Sequence, residues 1–308
     1  MSVIFTSNKP FDRAENIKAV FNAYSGQKAF VKTVNWLQNP DMSHYTLRVS
    51  DEFITASPSK AIFIGHGFGA VKTGGLDQPH PYYSDKYAGL MDYIVTTSEE
   101  MIPLVAKQCG VKESVVLPLG MPRTDAYLNA QKGDGGTFLA KRRSYLYVPT
   151  WRTAEETPLP EIDWKYIDRH LTENEILAVK MHPMTGKILR RGYRHIVEIS
   201  PQEASTPYLM DADVIITDYS SILFDAHLLK KPVVLFEKVR GYLDTRGVYF
   251  NYPYDYASRY ATSEKELVDQ IRSADGQREE DLRCVRRFAS ACDGHSTERV
   301  IELIESLL

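Results

Sequence analysis

A chain of 308 residues, 43% hydrophobic and 25% charged, carries enough apolar material for buried cores, which excludes a disordered polymer and makes two ordinary domains the expectation. A formal net charge of −3 excludes a generally cationic, nucleic-acid-coating protein but leaves room for a local pocket of Arg, Lys and His. The three cysteines, Cys109, Cys284 and Cys292, form no CxxC pair, so neither a disulfide framework nor a cysteine metal site is expected, and a reducing cytoplasm fits.

Residues 1–12 lack the charged-then-apolar profile of a signal peptide, and no later stretch approaches the roughly 18 apolar residues of a membrane span. A soluble or peripheral protein is expected. Apolar runs bounded by turn residues recur at 61–64, 93–97, 115–119, 145–149, 176–180, 214–217 and 233–236, with helix-like segments between several of them. That alternation predicts an α/β fold of parallel sheets wrapped by helices. The stretch QKGDGGT (131–137) is the strongest breaker, and it divides the chain into expected domains of 1–135 and 136–308. From Ser263 onward, Leu267, Ile271, Val285, Phe288, Val300, Leu303 and Leu307 follow helical spacing, interrupted at 292–296. A C-terminal helix crossing back to the first domain, as in two-domain nucleotide-dependent transferases, is one arrangement they allow, and periodicity does not say where they pack.

Three segments carry chemistry. The first, GHGFGAVKTGG (65–75), follows a buried-looking strand, so that Gly65 and Gly67 permit close backbone approach and leave His66 at a strand end. An imidazole there can take a proton from an attacking hydroxyl. The same position also suits a structural histidine bonded to nearby backbone, and spacing leaves both readings open. The second, DADVIITDYSSILFDAHLLKKPVVLF (211–236), reads as strand, turn, helix and strand. In it Asp218 ends the strand and Ser220 and Ser221 open a helix running to about Leu229, where orphan N–H groups favour a diphosphate. A plain N-cap fits as well, and Asp218 and Asp225 also suit turn and helix-orienting roles. The third, VKMHPM (179–184), delivers Lys180 and His182 before a proline that stops regular structure. Both can meet phosphate oxygens.

Arg123 in GMPRTD, Arg152 in PTWR and Arg246 in DTRG each sit in turn-like segments, where a guanidinium fork can be aimed at phosphate. Zinc-protease, EF-hand, Walker and nucleophile-elbow patterns are absent from the sequence, and no ligand cluster calls for a metal or a cofactor.

Taken in order, GHGFGAVKTGG, LPLGMPRTD, YVPTWR, VKMHP, VIITDYSSILFDAHLLKKPVVLF, DTRGVYF and CDGHSTERV resemble the CDP-glycerol glycerophosphotransferase family of wall teichoic acid and capsule synthesis. The resemblance covers residues 61–300. It implies a GT-B fold, two Rossmann-like domains facing a central cleft, with the acceptor side in the first and the nucleotide donor in the second. It implies transfer of glycerol phosphate, or a related polyol phosphate such as ribitol phosphate, from a CDP-linked donor to a hydroxyl of a cell-surface polymer or its lipid-linked precursor, releasing CMP. His66 is then the base on the acceptor hydroxyl. His182 and the Ser220–Ser221 helix start hold the donor diphosphate with Arg246 nearby, and Arg152, Lys180 and Asp218 line the same site. Gly65, Gly67, Arg123 and Asp225 are acceptor-side or structural positions. Asn251 departs from the aspartate expected there. A lipid-linked acceptor implies peripheral contact with the inner membrane face. The nearest rival is a GT-B glycosyltransferase using a nucleotide-diphosphate sugar. A silent nucleotide-binding subunit and a nucleotide-sugar epimerase are further rivals.

Overall fold

The computed structural model describes residues 2–33, 41, 43–52, 60–65, 91–152, 159–183, 185–189, 192–238 and 247–308, and among these described residues twelve strands form two parallel sheets of six. The first sheet comprises β1 (Ser2–Ser7), β2 (Gln27–Lys32), β3 (Leu47–Ser50), β4 (Lys60–Phe63), β5 (Tyr93–Val95) and β6 (Val116–Leu117), in the order β2-β1-β3-β4-β5-β6. The second comprises β7 (Arg143–Tyr147), β8 (Glu175–Val179), β9 (Ile196–Glu198), β10 (Val214–Thr217), β11 (Val233–Phe236) and β12 (Arg259–Ala261), in the order β12-β11-β10-β7-β8-β9.

The strands read as continuous apolar runs because parallel strands are covered on both faces. All four residues of β10 and of β11, and all five of β8, are buried. In the second sheet β7 and β10 lie side by side in parallel register, Tyr145 opposite Val214, while the chain runs outward from that pair in both directions. This reversal of strand order falls between β7 and β10, and the carboxyl ends of the strands at such a point are where doubly wound sheets take their ligands.

The chain divides into two compact units, Met1–Leu128 with Arg286–Leu308, and Asn129–Val285. The division expected at 135/136 assigns the C-terminal helices to the second domain, whereas by contact the last of them group with the first unit. Helix α1 (Glu15–Ala23) buries Asn16, Ile17 and Val20, and the last helix returns to the same core, adding Val300 and Ile304 to Val3, Phe5, Ile17, Val20, Leu47 and Val49. In the second unit the core gathers Tyr145, Leu177, Val179, Ile216, Val234 and Phe236 from the sheet with Leu267, Val268 and Ile271 from a covering helix.

Among the described residues the remaining α-helices in chain order are α2 (Ile102–Cys109), α3 (Trp164–His170), α4 (Thr206–Asp211), α5 (Ile222–Leu228), α6 (Glu264–Ser273), α7 (Glu279–Phe288) and α8 (Ser296–Leu307). None is long and apolar enough to cross a membrane. The breaker QKGDGGT is an ordered wrap around one carboxylate. Asp211 accepts the N–H groups of Gly133, Gly135 and Thr137 at 2.8, 3.1 and 2.6 Å and the Thr137 hydroxyl at 2.7 Å. A Cβ on Gly135 would stand 2.0 Å from the Pro207 carbonyl oxygen, so only glycine fits there.

Candidate active site

Three loops reach the carboxyl edge of the second sheet at the strand-order reversal. After β7 the chain carries Thr150, Trp151 and Arg152; after β8, Lys180 and His182; after β10, Asp218, Tyr219, Ser220 and Ser221. Asp218 ties the first loop to the third. One carboxylate oxygen accepts the Thr150 N–H at 2.6 Å and the Tyr219 N–H at 2.7 Å, and the other accepts Arg152 Nη2 at 2.6 Å. Both side chains of that ion pair are 3% exposed, so in this structure the Arg152 charge is directed into the protein and matched there. Burial of two charges is tolerable only with such pairing and additional hydrogen bonds, which Thr150 and Tyr219 provide.

Lys180 is also buried, its ammonium donating to the Pro201 carbonyl at 3.3 Å. His182 is exposed, its ring centroid 6.2 Å from that of Trp151. Ser220 and Ser221 are half-buried at the start of α5, a seven-residue helix ending one residue before the expected Leu229. Neither serine makes a firm side-chain cap: Ser221 accepts no cap bond, and Ser220 Oγ lies 3.5 Å from the Ile222 nitrogen. Asp225 is buried on α5. His66, Gly67 and Arg246 lie outside the described residues.

In the first unit Gly65 is buried with φ +62°, in the left-handed region that favours glycine. Its carbonyl accepts the Asn16 side-chain amide at 3.0 Å. Arg123 belongs to a 3₁₀ turn (Pro122–Ala126), and its backbone N–H donates to Asn16 Oδ1 at 2.9 Å. The segments GMPRTD and CDGHSTERV meet in this unit: Asp125 accepts the N–H groups of Ser296 and Thr297 at 3.2 and 2.6 Å and so caps α8 from outside the helix. Arg299 donates to the Leu119 carbonyl at 3.0 Å and grips Asp293 with two nitrogens, at 3.0 and 2.6 Å.

The model of the family described as CDP-glycerol:poly(glycerophosphate) glycerophosphotransferase matches residues 2–306. The chain belongs to that family. Among individual relatives of this glycerophosphotransferase-family chain, the teichoic acid glycerol-phosphate primase of Bacillus subtilis (strain 168) is 28% identical over 265 residues, covering 81% of the chain and 69% of the relative. The teichoic acid ribitol-phosphate polymerase TarL of Staphylococcus aureus is 26% identical over 263 residues, covering 79% of the chain and only 47% of the polymerase. In fold, the chain superposes on the wall teichoic acid polymerase TagF with a TM-score of 0.78 at 19% identity, covering 99% of the chain and 88% of that structure. It superposes less closely, at a TM-score of 0.60 and 12% identity, on the S. aureus MnaA-UDP structure.

Several structural residues of this family member escaped the sequence reading. Asn16 was invisible because its partners lie 49 and 107 positions away. Tyr219 and Tyr260 both donate to the Glu237 carboxylate, and the Tyr219 ring packs on Tyr252 at 4.8 Å, so these tyrosines form a rigid polar-aromatic floor behind Asp218. His227 is buried and bonded to the Tyr256 carbonyl at 2.8 Å; burial pushes its pKa down, which keeps it neutral and structural. A local cue existed for none of them beyond residue type.

Proposed function

We propose that the chain transfers glycerol phosphate, or a related polyol phosphate such as ribitol phosphate, from a CDP-linked donor to a hydroxyl of a cell-surface polymer or its lipid-linked precursor. The observation that carries this reading is the convergence of PTWR, VKMHP and DYSS at the strand-order reversal of the second sheet, in a chain matched by the family model over 2–306. In the GT-B reading the donor belongs to the second unit and the acceptor hydroxyl to the first. The hydroxyl oxygen attacks the polyol-bearing phosphorus, the bond from that phosphorus to the bridging oxygen breaks, CMP leaves, and His66 takes the hydroxyl proton. Charge gathers on phosphoryl oxygens as the bond breaks, so fixed donors stabilise the transfer.

His182, exposed beside Trp151, and the Ser220–Ser221 turn at the start of α5 are assigned to the donor diphosphate, with Arg246 assigned there by the family pattern. Asp218 and Arg152 tie the loops after β7 and β10 together as a buried ion pair, and the Lys180 ammonium is held on the Pro201 carbonyl. The remainder of the assignment, peripheral contact with a membrane face included, follows the lipid-linked acceptor of the reading.

Calorimetric titration with CDP-glycerol, CDP-ribitol, CMP, UDP-glucose and UDP-N-acetylglucosamine tests the donor class. Preference for the cytidine ligands is the expected result. Preference for the uridine ligands would transfer the chain to the sugar-transferase reading and leave only the fold.

A further inference from the structure

Asn16 is a buried amide, 2% exposed, on the inner face of α1. Its two ends are both committed, and to groups of opposite polarity: Nδ2 donates to the Gly65 carbonyl at 3.0 Å and Oδ1 accepts the Arg123 N–H at 2.9 Å. The backbone partners fix the orientation of the amide, because a carbonyl can only accept and an N–H can only donate. Nδ2 also lies 2.8 Å from Met121 Sδ. One side chain therefore joins the carboxyl end of β4 to the turn after β6, and that turn is in turn joined to α8 through Asp125.

We propose that Asn16 is a positioning residue for the reaction, holding the peptide unit that leads into His66. The step from hydrogen bond to catalysis is covalent geometry. The carbonyl of Gly65 and the N–H of His66 belong to one planar peptide group, so fixing the oxygen fixes the direction in which the chain enters residue 66. Gly65 gives that peptide unusual freedom, and at φ +62° it lacks the steric restraint that a Cβ would impose. Asn16 supplies the missing restraint from outside the loop. Aspartate could accept from Arg123 but, ionised, could not donate to Gly65; leucine could do neither and would leave two backbone groups unpaired in a buried site. The role rests on the reading of His66 as the base, and it adds a residue that touches neither donor nor acceptor.

The test compares Asn16→Ala, Asn16→Asp, His66→Ala and Val20→Ala in the full chain. Val20 is a fully buried neighbour on the same helix and reports what loss of stability alone does. CMP release from CDP-glycerol is followed with poly(glycerol phosphate) as acceptor, CDP-glycerol affinity by calorimetry, and Tm by calorimetric scan. The expected result is a fall in kcat of about 10- to 100-fold in both Asn16 variants, the scale at which small displacements of reacting groups act. Donor affinity stays within about twofold, while Val20→Ala, with an equal or larger loss of Tm, keeps kcat within about twofold. Asn16→Asp, nearly isosteric and still able to accept from Arg123, decides the matter if Asn16→Ala does not fold. Asn16 variants that track Val20→Ala, with His66→Ala inactive, overturn the positioning role alone. An active His66→Ala overturns the assignment of the base and the role of Asn16 with it.

Discussion

Asp218 holds the Thr150 and Tyr219 N–H groups and the Arg152 guanidinium at once, which makes it a fastener between loops. A carboxylate aimed at a diphosphate would repel it; one closed around Arg152 does not. Asp218→Ala leaves a buried guanidinium uncompensated and is expected to cost about 3–5 kcal/mol, measured as a lowered urea midpoint. Asp211 behaves differently with pH. Burial alone would raise its pKa, but the Thr137 hydroxyl and the N–H groups of Thr137, Gly133 and Gly135 outweigh burial and hold it below the usual carboxylate range. A depressed native pKa contributes stability that is present above the unfolded pKa, about 3.9, and is lost as pH falls through the native value. Urea midpoints below about pH 4 should therefore fall steeply in the parent chain, and the difference between it and Asp211→Asn should narrow there. A constant difference across that range would refute the assignment. The sequence placed Asp218 at the end of a strand and Arg152 in a turn-like segment and said nothing of Asp211, which closes helix α4; which atoms the three face was settled by loops brought together from 66 to 78 positions apart.

Helix starts differ in how their N–H groups are satisfied. Helix α6 carries its own capping box, Ser263 with Glu266, which is local and readable as a pattern. Helix α8 has no side-chain cap from His295, and Asp125 supplies one from 171 and 172 positions away. Asp125→Ala should cost about 1 kcal/mol in equilibrium denaturation, the usual scale of a lost cap. Gly120→Ala should cost more. At φ +88° its Cβ would stand 2.2 Å from the Ala291 carbonyl oxygen and 2.3 Å from Ser296 Oγ. At α5 the Ser221 hydroxyl makes no cap bond, so Ser221→Ala should shift stability by no more than about 0.5 kcal/mol while weakening CDP-glycerol binding. Lost stability with intact binding would identify an ordinary cap. The serines were legible in the sequence as a helix start; the missing cap bond that separates the two roles was not.

The last helix completes the core of the first unit by inserting Val300 and Ile304 among residues from the beginning of the chain. Deleting 289–308 should therefore abolish slow hydrogen exchange in β1 and β3 and leave β7, β8 and β10 protected. Loss of protection in both sheets together would show that the two units unfold as one. Strands β10 and β11 were read to the residue, and those at 61–64, 93–97, 115–119, 145–149 and 176–180 to within a few positions, because buried parallel strands announce themselves as short apolar runs between turns. Strands β1, β2, β3, β9 and β12 did not: β1 mixes serine and threonine into its buried run, β2 is an edge strand with lysine at positions 28 and 32, β3 buries Arg48 against Thr6, and β9 and β12 are three-residue edge strands that each carry a charged residue.

What the sequence by itself determined was the parallel α/β class and the ordered motifs that place the chain in its family, since hydrophobic period and motif order are local properties of a string. What only the tertiary structure decided was partnership. Apolar spacing marked Val300 as buried without saying that α8 rejoins the first unit, and residue type gave no hint that Asn16 would bind Gly65 and Arg123. A hydrogen bond needs both groups within about 3 Å, and for groups far apart in the chain that distance exists only once the sheets have formed.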